Sequence, residues 1–409
     1  MSRCDPSTAI VLSADAGLVA SALHRPVLAA VAVPLARRGR PAVLLAAVAA
    51  AAFLWGSDRT ADLERLTLRP GPASVRVTVT GQPSGDRAPA AVAGAGEAVL
   101  LVAPRLSLEQ GGVYRVRGTL AAIDRVVRDY YGTQGIHLEL RVSVGRRVGR
   151  RGGLWGRVDA LHRWLLGRLG ADPAASGERA LVAGIALGDT GGLPADARAD
   201  LRQSGLYHIV AVSGQNVALL IAFTLVGLGL AGVVGTPARL AAAAVTAAYV
   251  LVAGAGPSIV RAGVAGVLIS AAWLVSRTVR PWHLLACGAG VVLAFNPLEL
   301  FDPGFQLSFA AVAAIHSVAP RLRGALGPSA AVSVACTLVT APVVWWHFGR
   351  TAPLAVPANL LALPAVAPIL WLAAAAAGAG AVWAPLAAPL LGLADLLAAY
   401  VLWVARACA

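Results

Sequence analysis

TAPLAVPANLLALPAVAPILWLAAAAAGAGAVWAPLAAPLLGLA, residues 351–394, contains no charged side chain. Crossing the hydrocarbon core of a bilayer takes about 20 predominantly apolar residues in a helix. Working outward, Gln203–Ala238 also lacks Asp, Glu and Arg, and several stretches of spanning length fit in the second half of the chain. Composition agrees: 58% of residues are hydrophobic and only 13% charged, where soluble domains carry about 25% charge. Mean hydropathy is +0.72. The fold class this implies is a polytopic α-helical membrane protein.

From Glu178 onward, apolar runs are separated by Arg239, Arg261, Arg277 and Arg280, Glu299 and Asp302, Arg321 and Arg323, Arg350 and Asp395. At about 20 residues each, the whole chain predicts roughly 8–10 spans. Prolines and glycines interrupt many of them, and broken helices are tolerated only where the freed backbone is buried in protein or lines a water-filled cavity. The breaks therefore hint at a pathway.

The N-terminal part reads differently. Residues 7–35 are moderately apolar but include Asp15, His24 and Arg25, whereas Pro41–Gly56 is a clean apolar run behind Arg37, Arg38 and Arg40. Positive charge stays cytoplasmic, so the segment after Gly56 is predicted outside. Between 60 and 150, alternation in Ser74–Thr80 and Ile136–Val144, with Val99–Val102 and Val113–Leu120, predicts four or five short strands forming a small barrel or sandwich. Pro83–Gly96 reads as a flexible loop. Residues 146–170 interleave seven arginines with Leu154, Trp155, Val158, Leu161, Trp164 and Leu165 at helical spacing. That pattern suits a basic amphipathic helix at a membrane surface, anchored to headgroups or contacting phosphates of a passing nucleic acid. The organisation is thus 1–57 membrane segments, 58–150 an inserted all-β exposed domain, 151–177 the basic helix and 178–409 a membrane domain.

The net charge of +14 comes from arginine alone, since the chain has no lysine. Codon bias of a GC-rich genome and the positive-inside rule explain it; affinity for an anionic polymer or lipid explains it equally. Cys4, Cys287, Cys336 and Cys408 form no CxxC pair, and no two of the seven histidines sit at metal-ligand spacing. Neither a disulfide framework, a metal centre nor a bound cofactor is expected. A phosphate-binding GxxxxGK[ST] loop cannot occur without lysine, so an energy source would be separate.

The most unusual segment is SGLYHIVAVSGQNVALL, Ser204–Leu220, which sets His208, Ser213, Gln215 and Asn216 in an apolar run loosened by Gly205 and Gly214. Polar groups at membrane depth face partners or water; interhelical hydrogen bonding and cavity lining are the two readings. His208 lies five residues from Ser213, off its helical face, and no GxSxG elbow is present, so nucleophilic catalysis and enzymatic activity are not expected. Asp302–Pro303–Gly304 predicts a helix starting at Pro303 with an Asp N-cap and Gln306 in its first turn, an anion-friendly end. Arg261 marks either a helix end at the headgroups or a deeper phosphate partner. Trp345 and Trp346 read as an interfacial belt; beside His347, Phe348 and Arg350 they also resemble a platform for single-stranded bases. Asn359, between two proline breaks, is a further candidate.

DYYGTQGIHLEL (Asp129–Leu140), ALGDTGGLP (Ala186–Pro194), SGLYHIVAVSGQNVALL, NPLELFDPGFQLSF (Asn296–Phe309) and WWHFGR with PANLLALP resemble, in order and spacing, the ComEC family of competence proteins. The resemblance runs from about residue 60 to the C-terminus. It implies an OB-like extracytoplasmic domain and conduction of single-stranded DNA across the bacterial cytoplasmic membrane in natural transformation. On that reading the candidates for the DNA path are the polar residues singled out above, His208, Ser213, Gln215, Asn216, Arg261, Gln306, His347 and Asn359. Implied partners are single-stranded DNA, membrane lipid, a surface DNA receptor, a helicase-like ATPase, a cytoplasmic single-strand-binding protein and further copies of the chain. Family members often carry histidine where this chain has Asn216. The metallo-β-lactamase-like domain of many members is not seen before Ala409, so strand degradation is not expected of this polypeptide. The rival reading is a small-solute or lipid transporter with an outer binding domain; unequal halves without a clear repeat count against it.

Overall fold

The computed structural model describes residues 51–58, 60–61, 68–171, 175–210, 214–254, 256–274, 281–349 and 351–409, with positions 15, 18 and 19. The N-terminal membrane segment or segments expected within 1–57 lie outside these residues, except that 51–57 and positions 15, 18 and 19 are helical.

Five strands, β1 (Gly71–Val79), β2 (Arg87–Val92), β3 (Ala98–Val102), β4 (Gly112–Ala122) and β5 (Leu138–Arg150), close a barrel in the order β1-β2-β3-β5-β4. The pairings are antiparallel except β3 with β5, which is parallel. Alternation places Val77, Val79, Val99, Leu101, Tyr114, Val116 and Leu140 inside. Each such aliphatic side chain, fully buried, contributes about 1.5–3 kcal/mol before the ordering cost of the chain. Tyr114 closes one end: its hydroxyl donates to the Ser107 carbonyl (2.8 Å) and accepts from the Glu109 N–H (2.9 Å). At Gly118 the strand shifts register, and a side chain there would meet the Arg141 carbonyl oxygen at 2.0 Å. Only glycine allows β4 and β5 to approach so closely.

Two expectations are corrected here. The stretch 83–96 is not a loop throughout, because its Arg87–Val92 forms β2. Ala88, Ala90 and Val92 point inward, and pairing to β1 on one side and β3 on the other outweighs the local turn composition. Pro89 is tolerated because its carbonyl, its remaining polar group, accepts from the Thr80 N–H at 2.9 Å. Arg146, Arg147 and Arg150 lie on β5 and not on the basic helix.

A short helix, α1 (Arg125–Gly132), joins β4 to β5, and the basic helix is α2 (Gly153–Leu169). The chain continues through α3 (Gly177–Leu187), α4 (Ala195–Gln203), α5 (Gly214–Leu230), α6 (Thr236–Val252), α7 (Pro257–Leu274), α8 (Pro281–Phe295), α9 (Pro303–Ser317), α10 (Ala319–Leu326), α11 (Pro328–Phe348), α12 (Ala355–Val382) and α13 (Ala387–Ala407). Among the described residues three helices are long and apolar enough to cross a membrane: α11, α12 and α13, with mean hydropathies of 1.6, 2.1 and 1.8. Gly214–Leu230, Thr236–Val252, Ser258–Ile269 and Pro281–Phe295 are apolar but shorter. Seventeen helical residues span about 26 Å, just under the hydrocarbon thickness of about 30 Å.

The largest core lies where α3 packs against α12 and α13, and alanines dominate it: Ala358, Ala362, Ala373, Ala376, Ala394 and Ala398 are fully or almost fully buried. Small residues at the contact let apolar helices approach closely where lipid removes the hydrophobic drive. Helix α2 leans on this core with an inverted face. Asp159 and His162 point in, while Leu154, Trp155, Leu161 and Trp164 are exposed. Arg151 holds Asp159 through two bonds of 2.5 and 2.7 Å and lies over the Trp155 ring. Arg168 donates to the Gly380 carbonyl across the fold.

Candidate functional site

The helix expected to start at Pro303 does so, and Asp302 caps it by accepting the Phe305 N–H at 2.8 Å. The same carboxylate, with Glu299 from the preceding 3-10 turn, receives Arg261 of α7. Arg261 Nη1 lies 3.0 Å from Glu299 Oε2 and 3.4 Å from Asp302 Oδ1. All three side chains are buried, at 6, 6 and 1% exposure. A side chain at Gly304 would sit 2.7 Å from Arg261 Nη2, so glycine admits the guanidinium. Arg261 Nε and Asp302 Oδ2 are buried without a partner among the described residues.

One turn along α9, Gln306 donates to the Leu300 carbonyl (2.9 Å), and its oxygen lies 2.9 Å from Nε2 of His347 on α11. Three sequence candidates, Arg261, Gln306 and His347, thus meet at the N-terminal end of α9. The barrel reaches this end too: Asn296 Nδ2 donates to the Thr133 carbonyl at 2.6 Å, joining the NPLELFDPG and DYYGTQG segments.

In the connecting turn, burial first, and then the neighbouring Asp302 charge, push the Glu299 carboxyl up from 4.5 to about 7, against the pull of Arg261. A raised acid favours the folded state below its unfolded value. That contribution is intact below about pH 4.5 and is lost as pH rises through 7. The unfolding midpoint in detergent is therefore expected to fall between pH 5 and pH 8, with a Glu299 slope of at most about 1.4 kcal/mol per pH unit. Glu299→Gln should flatten the fall; an unchanged slope in that variant would assign it to another group.

A second polar cluster gathers around the C-terminal carbonyls of α3, which a helix end leaves unpaired. Asn216 Nδ2 donates to Ile185 (2.9 Å), the Tyr249 hydroxyl to Ala186 (2.9 Å) and Gln82 Nε2 to Leu187 (3.1 Å). Gln82 also donates to the Ala253 carbonyl at 3.2 Å, so the β1–β2 loop ties α3 to the end of α6. Beside it, His162 Nδ1 lies 2.7 Å from the Val252 carbonyl and its Nε2 3.8 Å from Asp189. Burial raises the Asp189 carboxyl, but bonds from His162 and the Gly191 N–H outweigh it and hold the group below its ordinary value.

The remaining candidates are apart from these clusters. His208 is exposed in a 3-10 turn, its ring 3.0 Å from the Gly205 carbonyl, and Gln215 is exposed in the first turn of α5. Ser213 lies outside the described residues, as does Arg350. Asn359 is half-buried on α12, with Oδ1 buried and unpaired among the described residues. Sequence reasoning missed Glu299, Tyr249, Gln82, His162 and Asp189. An acid and a tyrosine inside apolar runs signal the first two; nothing local marks Gln82, whose partners are 105 and 171 residues away. Among the described residues no group of His, Cys, Asp and Glu could hold a metal ion.

The family described as Competence protein matches residues 185–409, from the C-terminal end of α3 to the C-terminus, which includes Arg261, Glu299, Asp302, Gln306 and His347 of the first cluster and Asn216 and Tyr249 of the second. ComE operon protein 3 of Bacillus subtilis (strain 168) is 26% identical over 187 residues, which is 45% of this chain and 24% of that protein. The aligned stretch thus spans about a quarter of the relative's length. No solved structure matches. With more than half of its length matched, the chain belongs to the competence protein family, the ComEC family its motifs resemble.

Proposed function

We propose that this chain conducts single-stranded DNA across the bacterial cytoplasmic membrane during natural transformation, as a multi-pass protein with an extracytoplasmic OB-like barrel. The supporting observation is that the competence-family match covers the part of the chain in which apolar helices are interrupted and carry buried polar groups. Interrupted helices at membrane depth are tolerated where they border protein or a water-filled path. The barrel receives the strand, and the polar ends of α5 and α9 border its route. The chain acts as a conduit and not as an enzyme. A separate motor or the membrane potential drives the strand, and a surface receptor, a helicase-like ATPase and a cytoplasmic single-strand-binding protein act before and after it.

The test is transformation frequency of a clean deletion strain, scored beside electroporation of the same DNA. A large loss of natural uptake, restored by complementation with electroporation unchanged, supports the proposal. Equal frequencies in deletion and parent, in a competent strain, overturn it and favour a solute or lipid transporter.

A further inference from the structure

Three strands of the barrel carry a row of arginines on the outer face. In the register of β1 with β4, Arg76 stands opposite Arg115, and in the register of β4 with β5, Arg115 stands opposite Arg146. Arg117, two residues along β4, projects from the same face as Arg115 and is flanked by Ser74 and Val144. All four arginines are exposed, and Val144 beside them is 71% exposed. Partners in neighbouring strands are about 5 Å apart, and like charges directly opposite are destabilising.

The nearby arginines are satisfied within the fold: Arg141 by Glu139, Arg147 and Arg150 by Glu109, Arg151 by Asp159. Arg76, Arg115, Arg117 and Arg146 have no acidic partner among the described residues. A repulsive row kept free of internal counter-charge fits an external anion with repeated charges. We propose that this row is a phosphate track that holds single-stranded nucleic acid against β1, β4 and β5. The proposal rests on the DNA-conduction reading above and assigns the strand a particular face of the barrel.

The position of the row argues against lipid headgroups as its occupant. The barrel meets the helices through Gln82, Gln110 and Thr133. Arg76, Arg115 and Arg146 stand three or four residues inside the strand ends that lead to Gln82, Gln110 and Arg151, on the order of 10–13 Å of extended strand. Arg147, Arg150 and Arg151, by contrast, run down into α2 with its exposed Leu154 and Trp155. The opposite wall, the face that OB barrels more often offer to oligonucleotides, is unsuited here. Leu100 of β3 is covered by Ile123 and Ile136, β2 supplies only Arg87, and the β1–β2 loop is docked on the helices.

The experiment uses the full chain in neutral phosphatidylcholine nanodiscs and a fluorescent oligo-dT, with anisotropy read over a salt series. For single strands the salt slope is about −0.7 per neutralised phosphate. Arg76→Gln with Arg115→Gln and Arg146→Gln should therefore flatten the slope by about 2 and weaken binding about tenfold or more at low salt. Arg115→Gln alone, which keeps more of the face should the triple variant fold poorly, should flatten it by about 0.7. Arg87→Gln on the opposite wall should leave affinity and slope as in the parent. Unchanged binding in the folded triple variant would overturn the track while leaving the transport proposal, scored separately by the deletion strain, intact. Absence of oligo-dT binding by the parent also overturns the track. Loss of binding to phosphatidylglycerol vesicles in the triple variant, with oligo-dT binding kept, would reassign the row to a lipid surface.

Discussion

Alanine at position 261 is expected to remove most of the folded protein. Arg261 is the only cation contacting the buried Glu299 and Asp302 among the described residues, and its loss leaves the Asp302 carboxylate, and Glu299 wherever it is ionised, without a counter-charge in an apolar setting. Breaking a buried ion pair from one side costs about 3–5 kcal/mol, a large share of a total stability of about 5–15 kcal/mol. The effect reaches further than the pair, because Asp302 also caps α9 and the Glu299 turn leads to Asn296, which holds the barrel at Thr133. The measurement is folded yield and unfolding midpoint in detergent. Arg261→Met combined with Glu299→Gln and Asp302→Asn should recover much of the loss, since uncharged groups of similar shape replace buried pairs at little cost and asparagine caps as well as aspartate. An Arg261→Ala protein that melts like its parent would show that the cluster does not join α7 to α9.

The two carboxylates of that cluster also show what a sequence reveals and what it withholds. Asp302–Pro303 announces a helix start by local chemistry alone, and α9 begins where those residues put it. That Arg261 turns inward to meet them is a contact across 38 and 41 residues, which no local pattern encodes. The same division holds in the barrel. β1 and β5 follow from alternation, and β3 and β4 from short runs rich in branched residues, whereas β2, RAPAAV between glycine-rich turns, has loop composition and becomes a strand because partners exist on both sides. The charge of the arginines at 146–150 suits the basic helix, but Val142 and Val144 before them and Val148 among them prolong β5 and delay the helix to Gly153. For the candidate residues, polarity within an apolar run marks Asn216, a charge between two runs Arg261, a helix's first turn Gln306 and an aromatic stretch His347. It could not tell which of them are bonded inside the protein and which face outward.

That distinction separates two neighbours, Gln215 and Asn216. Asn216 is 1% exposed and donates to the Ile185 carbonyl, next to the Ala186 carbonyl held by Tyr249. Asn216→Leu is expected to cost about 1–3 kcal/mol, because it bares a buried carbonyl at the end of α3. Asn216→His, which keeps a ring N–H able to donate, should lose less. Gln215 is exposed one position earlier, so Gln215→Leu should change stability by no more than about 0.5 kcal/mol. Protein level and unfolding midpoint separate these effects from transport, and transformation frequency then reads what remains. A transformation defect in Gln215→Leu at normal protein level would place its side chain on the strand's route. A defect in Asn216→Leu that scales with lost protein, and that Asn216→His repairs, would make Asn216 a brace for the α3 end. Equal defects in both variants at normal protein level would contradict that assignment, because Gln215 is exposed and Asn216 buried, and among the described residues it is Asn216 that is bonded within the fold.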